Sequence, residues 1–155
     1  MFAQSAFPPL ALGFFGLGTG YLIYGPQELF GWPPRDDRVD RATGVWGIWL
    51  PGFCQLVTGA ILFVGLTWLQ VFTEDPALYM AALAFSAHGI HWFAIGWHRY
   101  RGNDPRTNAG MSVAFMVISA MGANRVFQGS GLASRALVPR AVRNLLQRLL
   151  SPRSV

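Results

Sequence analysis

The chain has no lysine, a single cysteine, and four long stretches without formal charge. Each absence excludes something. The lone Cys54 rules out an intrachain disulfide and a cysteine-built metal cluster. It sits inside an apolar run and reads as a small packing residue. Without lysine, the basic residues are twelve arginines, placed in short loops and in the C-terminal tail. They make no folded basic face for nucleic acid, and membrane surface and topology account for them better. The charge-free stretches are 1–27, 44–72, 76–97 and 107–124. A helix of a soluble protein keeps a charged, wet face, and these stretches have none. From Arg125 onward there is no acidic residue. Catalytic patterns are missing as well: no Ser-His-Asp order, paired carboxylate, P-loop or phosphate-cradling glycine turn stands in a suitable context. The expectation is a protein that is not an enzyme and carries no cofactor.

What is present points to lipid. The 155 residues are 52% apolar and 12% charged, with a formal net charge of +5. They predict an all-α fold, a polytopic integral membrane helical bundle with three to four transmembrane helices and a basic C-terminal tail. Spans are expected near 10–24, 45–72, 77–97 and 108–123, inside a transmembrane domain covering 1–128. Residues 129–155 form an Arg-rich tail, amphipathic on a membrane surface or disordered. No basic segment precedes the first apolar run, so it reads as a retained span rather than a cleaved signal.

Pro8 and Pro9 suit the first turn of a helix. Gly13, Gly16 and Gly20 follow in the first span, with Gly16 and Gly20 as a GxxxG pair for close helix packing. Gly25 to Thr43 reads as a loop, and Arg35–Arg41 within it as a solvated turn. The second span is long enough to tilt or to break at Pro51–Gly52. Gln55 follows that point. An amide in hydrocarbon needs a partner, either another helix or a substrate. Thr58 and Gly59 offer a small-residue surface to the next span. Trp46, Trp49, Trp68, Trp92 and Trp97 lie along the spans.

The third span, Ala81–Trp97, holds His88 and His91 three residues apart, so they share a helix face, and His98 follows in a basic clamp. Haem wants ligands from two helices and zinc wants three or four converging groups. All three histidines lie on one helix, so no metal site is expected, and the imidazoles read as packing or pore-facing groups.

Three segments resemble the acetate/succinate permease family. PLALGFFG at Pro9–Gly16 is similar to its Pro-Leu-Gly-Leu-x-x-Phe-Gly, PGFCQLVTG at Pro51–Gly59 to its Gly-Gly-x-x-Gln-x-x-x-Gly, and LAFSAHGIHWF at Leu83–Phe93 to its Ala-Phe-x-x-Tyr-Gly-x-x-Trp. The resemblance implies a membrane transport protein passing small carboxylates such as acetate or succinate by a proton-coupled or channel-like path. It implies hexameric packing in a bacterial plasma (inner) membrane. It makes Pro9, Leu10 and Leu12 shape the mouth of the first span, and Gln55 and Gly59 line or brace the path. Phe85 and His88 would face it from the third span, His88 standing where the family has tyrosine.

The chain departs from the family in places. Ala6 and Phe7 replace an Asn-Pro, Pro51 replaces a glycine, and there is room for three or four spans rather than six. That implies a truncated permease, or a natural half-length protein; the alternative function is a non-transporting accessory subunit of a membrane complex. Topology stays open. The loops at 35–41 and 99–106 carry six arginines and by charge belong inside, whereas the family places them outside; six more arginines lie from Arg125 onward.

Overall fold

The computed structural model describes residues 5–72 and 75–129. Among these the chain is all-α, with no strand. Helix α1 is Phe7–Phe30 and helix α2 is Asp37–Gly47. A π-helical segment, Ile48–Phe53, leads directly into α3, Cys54–Thr67. Helix α4 is Pro76–Arg101 and α5 is Arg106–Gly129. Three helical rods are long and apolar enough to cross a membrane: Phe7–Phe30, Asp37–Thr67 and Pro76–Arg101. The chain divides into two compact units, Met1–Val117 and Ile118–Val155. The tail expected over 129–155 lies, from residue 130, outside the described residues.

The helices are longer than their apolar cores. α1 was expected over 10–24 within a longer apolar run, but it runs on through Pro26 to Phe30 and stops where Gly31 turns left-handed, φ 66°. A loop from Gly25 is therefore corrected. So is the solvated turn at Arg35–Arg41. Asp36 caps α2 by accepting from the backbone N–H of Arg38 and Val39, each at 2.8 Å, and the charged residues after it are helical. Capping and the acidic first turn of Asp37 and Asp40 explain why. The second rod thus starts at Asp37 rather than near 45 and ends at Thr67 rather than 72. Its 31 residues span about 46 Å at ~1.5 Å per residue, against ~30 Å of hydrocarbon. The excess is the charged α2 end. α4 is capped by Asp75, which accepts from Ala77 N at 2.8 Å, and closes at Gly102, φ 68°.

Pro51 does not break the second rod. It lacks an N–H, and the chain widens to a π turn around it rather than kinking into a loop. Pro51 is buried against Gly20 of α1, where an added Cβ would fall 2.8 Å from its Cγ.

Gly13, Gly16 and Gly20 all lie on the buried face of α1. A Cβ on Gly16 would stand 2.5 Å from the Cβ of Cys54 and 2.6 Å from the carbonyl oxygen of Leu50. α2 and α4 meet the same way at Gly44 and Gly96, where a Cβ on either would come within 2.6 Å of the other's carbonyl oxygen. At the opposite end, Leu62, Leu66, Phe72, Ala82 and Phe85 form the apolar core, with Leu10, Leu78 and Tyr79 against it.

Gly16→Ala is expected to lower stability by about 1–3 kcal/mol, because the new methyl meets backbone that cannot yield. Gly18→Ala, with nothing within 4 Å of the added Cβ, is expected to be neutral or to gain about 0.5–1 kcal/mol of helix propensity. Thermal unfolding of the two variants in detergent checks the order; Gly18→Ala proving the worse would remove the packing assignment.

Candidate functional site

Two polar places stand out in an otherwise apolar bundle, one inside it and one at its end. The first is centred on α3. Gln55, Thr58, Gly59, Leu62 and Leu66 make its buried stripe. Thr58 Oγ1 donates to the carbonyl oxygen of Pro9 on α1, 2.8 Å. Gly59 lies under α4, where a Cβ would stand 2.2 Å from Ser86 Oγ. Gln55, one turn from both, therefore sits between α1 and α4. It is 1% exposed, and its Nε2 has no hydrogen-bond partner. It lies twelve residues before Thr67, roughly 18 Å along the helix, so near mid-depth of the apolar stretch. An unspent amide donor there costs about 1–3 kcal/mol relative to a bonded one. No interhelical bond accounts for it.

The residues expected around this place divide. Pro9, Leu10, Gln55, Gly59 and Phe85 belong to the interior shared by α1, α3 and α4. Phe85 is buried against Gly13 and meets Phe14 edge-on, ring centroids 5.2 Å apart. Leu12 is exposed. His88 is turned another way. Its Nδ1 donates to the carbonyl oxygen of Ala84, 2.8 Å, and its ring meets Phe115 of α5 edge-on at 5.0 Å. His91 stacks on the same Phe115 at 4.5 Å, and its Nε2 lies 3.3 Å from Ser112 Oγ. Ser112 already donates to Asn108 O at 2.9 Å, so His91 is the donor of that pair. Gln55 and the histidine pair thus occupy different sides of α4. Gly59 faces Ala82 and Ser86 of α4 rather than the histidines, whereas the Thr58 hydroxyl is turned to Pro9 of α1. Among the described residues no group of three or more His, Cys, Asp or Glu could hold a metal ion.

The second place is at the α1–α2 and α4–α5 end, and sequence reasoning missed it. Arg99 of α4 is 7% exposed in its side chain. Its Nη2 and Nε donate to Asp40 Oδ1 of α2 at 2.9 and 3.0 Å, and Nη1 donates to Glu28 of α1 at 3.1 Å. Nη2 also donates to the Gln27 side-chain oxygen. The guanidinium lies over the Tyr24 ring, 5.0 Å from its centroid. Arg35 binds Asp40 from outside, 3.1 Å, and reaches Glu28 at 3.8 Å. The hydrogen bonds that Arg35 donates to Asp40 hold its guanidinium above its usual pKa. Gln27 Nε2 donates to Pro33 O, 3.2 Å, and Tyr24 Oη donates to Thr43 O, 3.1 Å. Two cations and two carboxylates close a neutral cluster joining three helices. The Arg99 partners stand 59 to 72 residues from it in sequence, so spacing carried no signal of its role.

Comparison of the chain with protein-family models, curated proteins and solved structures returned no match. Function is therefore argued from the residues themselves.

Removing one partner of the cluster leaves a buried charge uncompensated. A double-mutant cycle of Arg99→Met and Asp40→Asn is expected to show a coupling of about 1–3 kcal/mol in chemical unfolding. Arg35→Gln, at the exposed rim, should cost less than about 1 kcal/mol. A coupling near zero would remove the cluster from any structural role.

Proposed function

We propose that this is a membrane-embedded transport protein passing small carboxylates of the acetate or succinate type, related to the acetate/succinate permeases, in a bacterial inner membrane and as an oligomer. The observation that carries the reading is Gln55. A fully buried amide with an unpaired donor, near mid-depth of a bundle long enough to cross lipid, is a poor structural element and a good substrate contact. The α1–α3–α4 interior that holds Gln55 also holds Pro9, Leu10, Gly59 and Phe85, for which the family resemblance implies the same path.

The chemistry limits the form in which an acid could pass. Gln55 offers a neutral N–H, and no arginine of the Met1–Val117 unit lies at its depth. A bare carboxylate in so apolar a place would be heavily penalised. A protonated acid, or a carboxylate moving with its proton, is not. Proton coupling follows from that donor set, so uptake should rise as external pH falls. His88, beside α5, is the protonatable group on α4 that the family resemblance assigns to the path.

The test is uptake of labelled acetate and succinate by proteoliposomes. The wild-type chain is expected to accumulate acid at low external pH. Gln55→Leu, close in volume, should abolish uptake while raising the unfolding temperature in detergent, because it deletes the unpaired donor. A purely structural glutamine would behave the opposite way, losing stability first. His88→Tyr should shift the pH dependence of uptake; an unchanged profile would take His88 out of the mechanism. A wild-type chain without uptake that co-purifies with a larger complex would move the protein to the accessory-subunit reading.

A further inference from the structure

The two ends of the bundle differ in charge, and the difference extends beyond the Arg99 cluster. All six arginines of the Met1–Val117 unit lie at one end: Arg35, Arg38, Arg41, Arg99, Arg101 and Arg106. That end gathers the C-termini of α1 and α4 and the N-termini of α2 and α5. The other end, with Ser5, Thr67 and Pro76, has Asp75 as its one charged residue among those described in that unit. Three arginines are engaged internally, Arg35 and Arg99 with Asp40 and Glu28, and Arg106 with Asp104. Arg38, Arg41 and Arg101 are exposed and enter no ion pair among the described residues. Arg101 lies over the Trp97 ring, 5.4 Å from its centroid. Phe30, Trp32, Trp46, Trp97 and Tyr100 are exposed around the same end. Aromatic rings at headgroup depth with unpaired guanidinium groups just beyond them match a surface of anionic phosphates.

We infer that Arg38, Arg41 and Arg101 seat this end against anionic phospholipid headgroups of the cytoplasmic leaflet, with the 31–36 and 102–105 turns inside the cell and the Ser5–Asp75 end outside. The inference rests on the membrane reading alone and not on transport, since vesicle uptake does not depend on which end faces in. Arginine bias in short loops sets orientation, and acidic residues weigh little in it. Within the Met1–Val117 unit the count is six against none, and it is opposite to the orientation the family resemblance implies.

The test uses the full chain in bacterial spheroplasts. Cys54→Ala removes the native thiol, and Ser5→Cys or Asn103→Cys places one at each end. A membrane-impermeant maleimide should label Ser5→Cys in intact spheroplasts, and Asn103→Cys only after lysis. The reverse pattern, or equal labelling of both, would overturn the orientation. Adding Arg38→Gln, Arg41→Gln and Arg101→Gln to the Asn103→Cys chain should let label reach part of the population without lysis. These side chains are exposed, so folding is retained and is checked by unfolding temperature. Full protection of Asn103→Cys in that variant would overturn the headgroup contact.

Discussion

Close approach of backbone to backbone is the constraint on which the three-rod unit depends. Between helices in lipid there is little hydrophobic drive, because lipid tails are as apolar as leucine. Association then rests on van der Waals contact and on interhelical hydrogen bonds. Both need the helices near one another, and glycine permits that. Gly16 lets α1 touch Leu50 and Cys54, and the Gly44–Gly96 pair brings the carbonyls of α2 and α4 together. The Thr58–Pro9 bond, side chain to carbonyl, is short only because α1 and α3 already lie so close. Pro51 takes part by filling the notch over Gly20, and the π turn keeps the rod continuous while it does so.

The Arg99 cluster closes the end where that packing gives way to charge. A single buried guanidinium would be costly, and here it is matched in sign by Asp40 and Glu28 and covered by Tyr24 and Gln27. Glu28 is 55% exposed and Asp40 less so, which grades the cluster from wet to dry. The grading fits a rod whose first turns stand outside the hydrocarbon. It also explains why a segment as charged as Asp37–Arg41 is ordered helix: its carboxylates have fixed partners, a capped start and a favourable dipole.

Much of the architecture was legible in the sequence because lipid imposes a simple rule. A helix without charge over a span's length has one solvent that suits it, and three such rods were found where charge-free stretches lie. Their ends were less legible. Reading charge as loop assumes that a helix stops at the hydrocarbon boundary, yet α1 continues through Pro26 and the second rod begins eight residues before its apolar part. Asp36 was the available signal, a cap followed by helix formers, and the proline-rich stretch before it obscured it. At the candidate site, Gln55 could be singled out because a polar residue inside an apolar run is conspicuous. Arg99 could not, because its meaning comes from residues two helices away.

The helical period decides what the histidines can do. Phe85 and Gly89 lie on the buried side of α4, and His88 is one residue from Gly89, about 100° around the axis. Position 88 therefore turns from Gln55 toward α5, where both His88 and His91 meet Phe115. An imidazole in that place is not a ligand for an acid held at Gln55. It can act on such an acid only through what lies between, the body of α4 itself. Under the proposed transport reading, the proton and the acid would be neighbours on two faces of one helix rather than partners in one site. Any coupling between them passes through the packing of α4 against α3, where Gly59 and Gly89 leave no room for a side chain. A rigid contact of that kind is the route that the proposed transport reading requires for a histidine on the far face of α4 to act at Gln55.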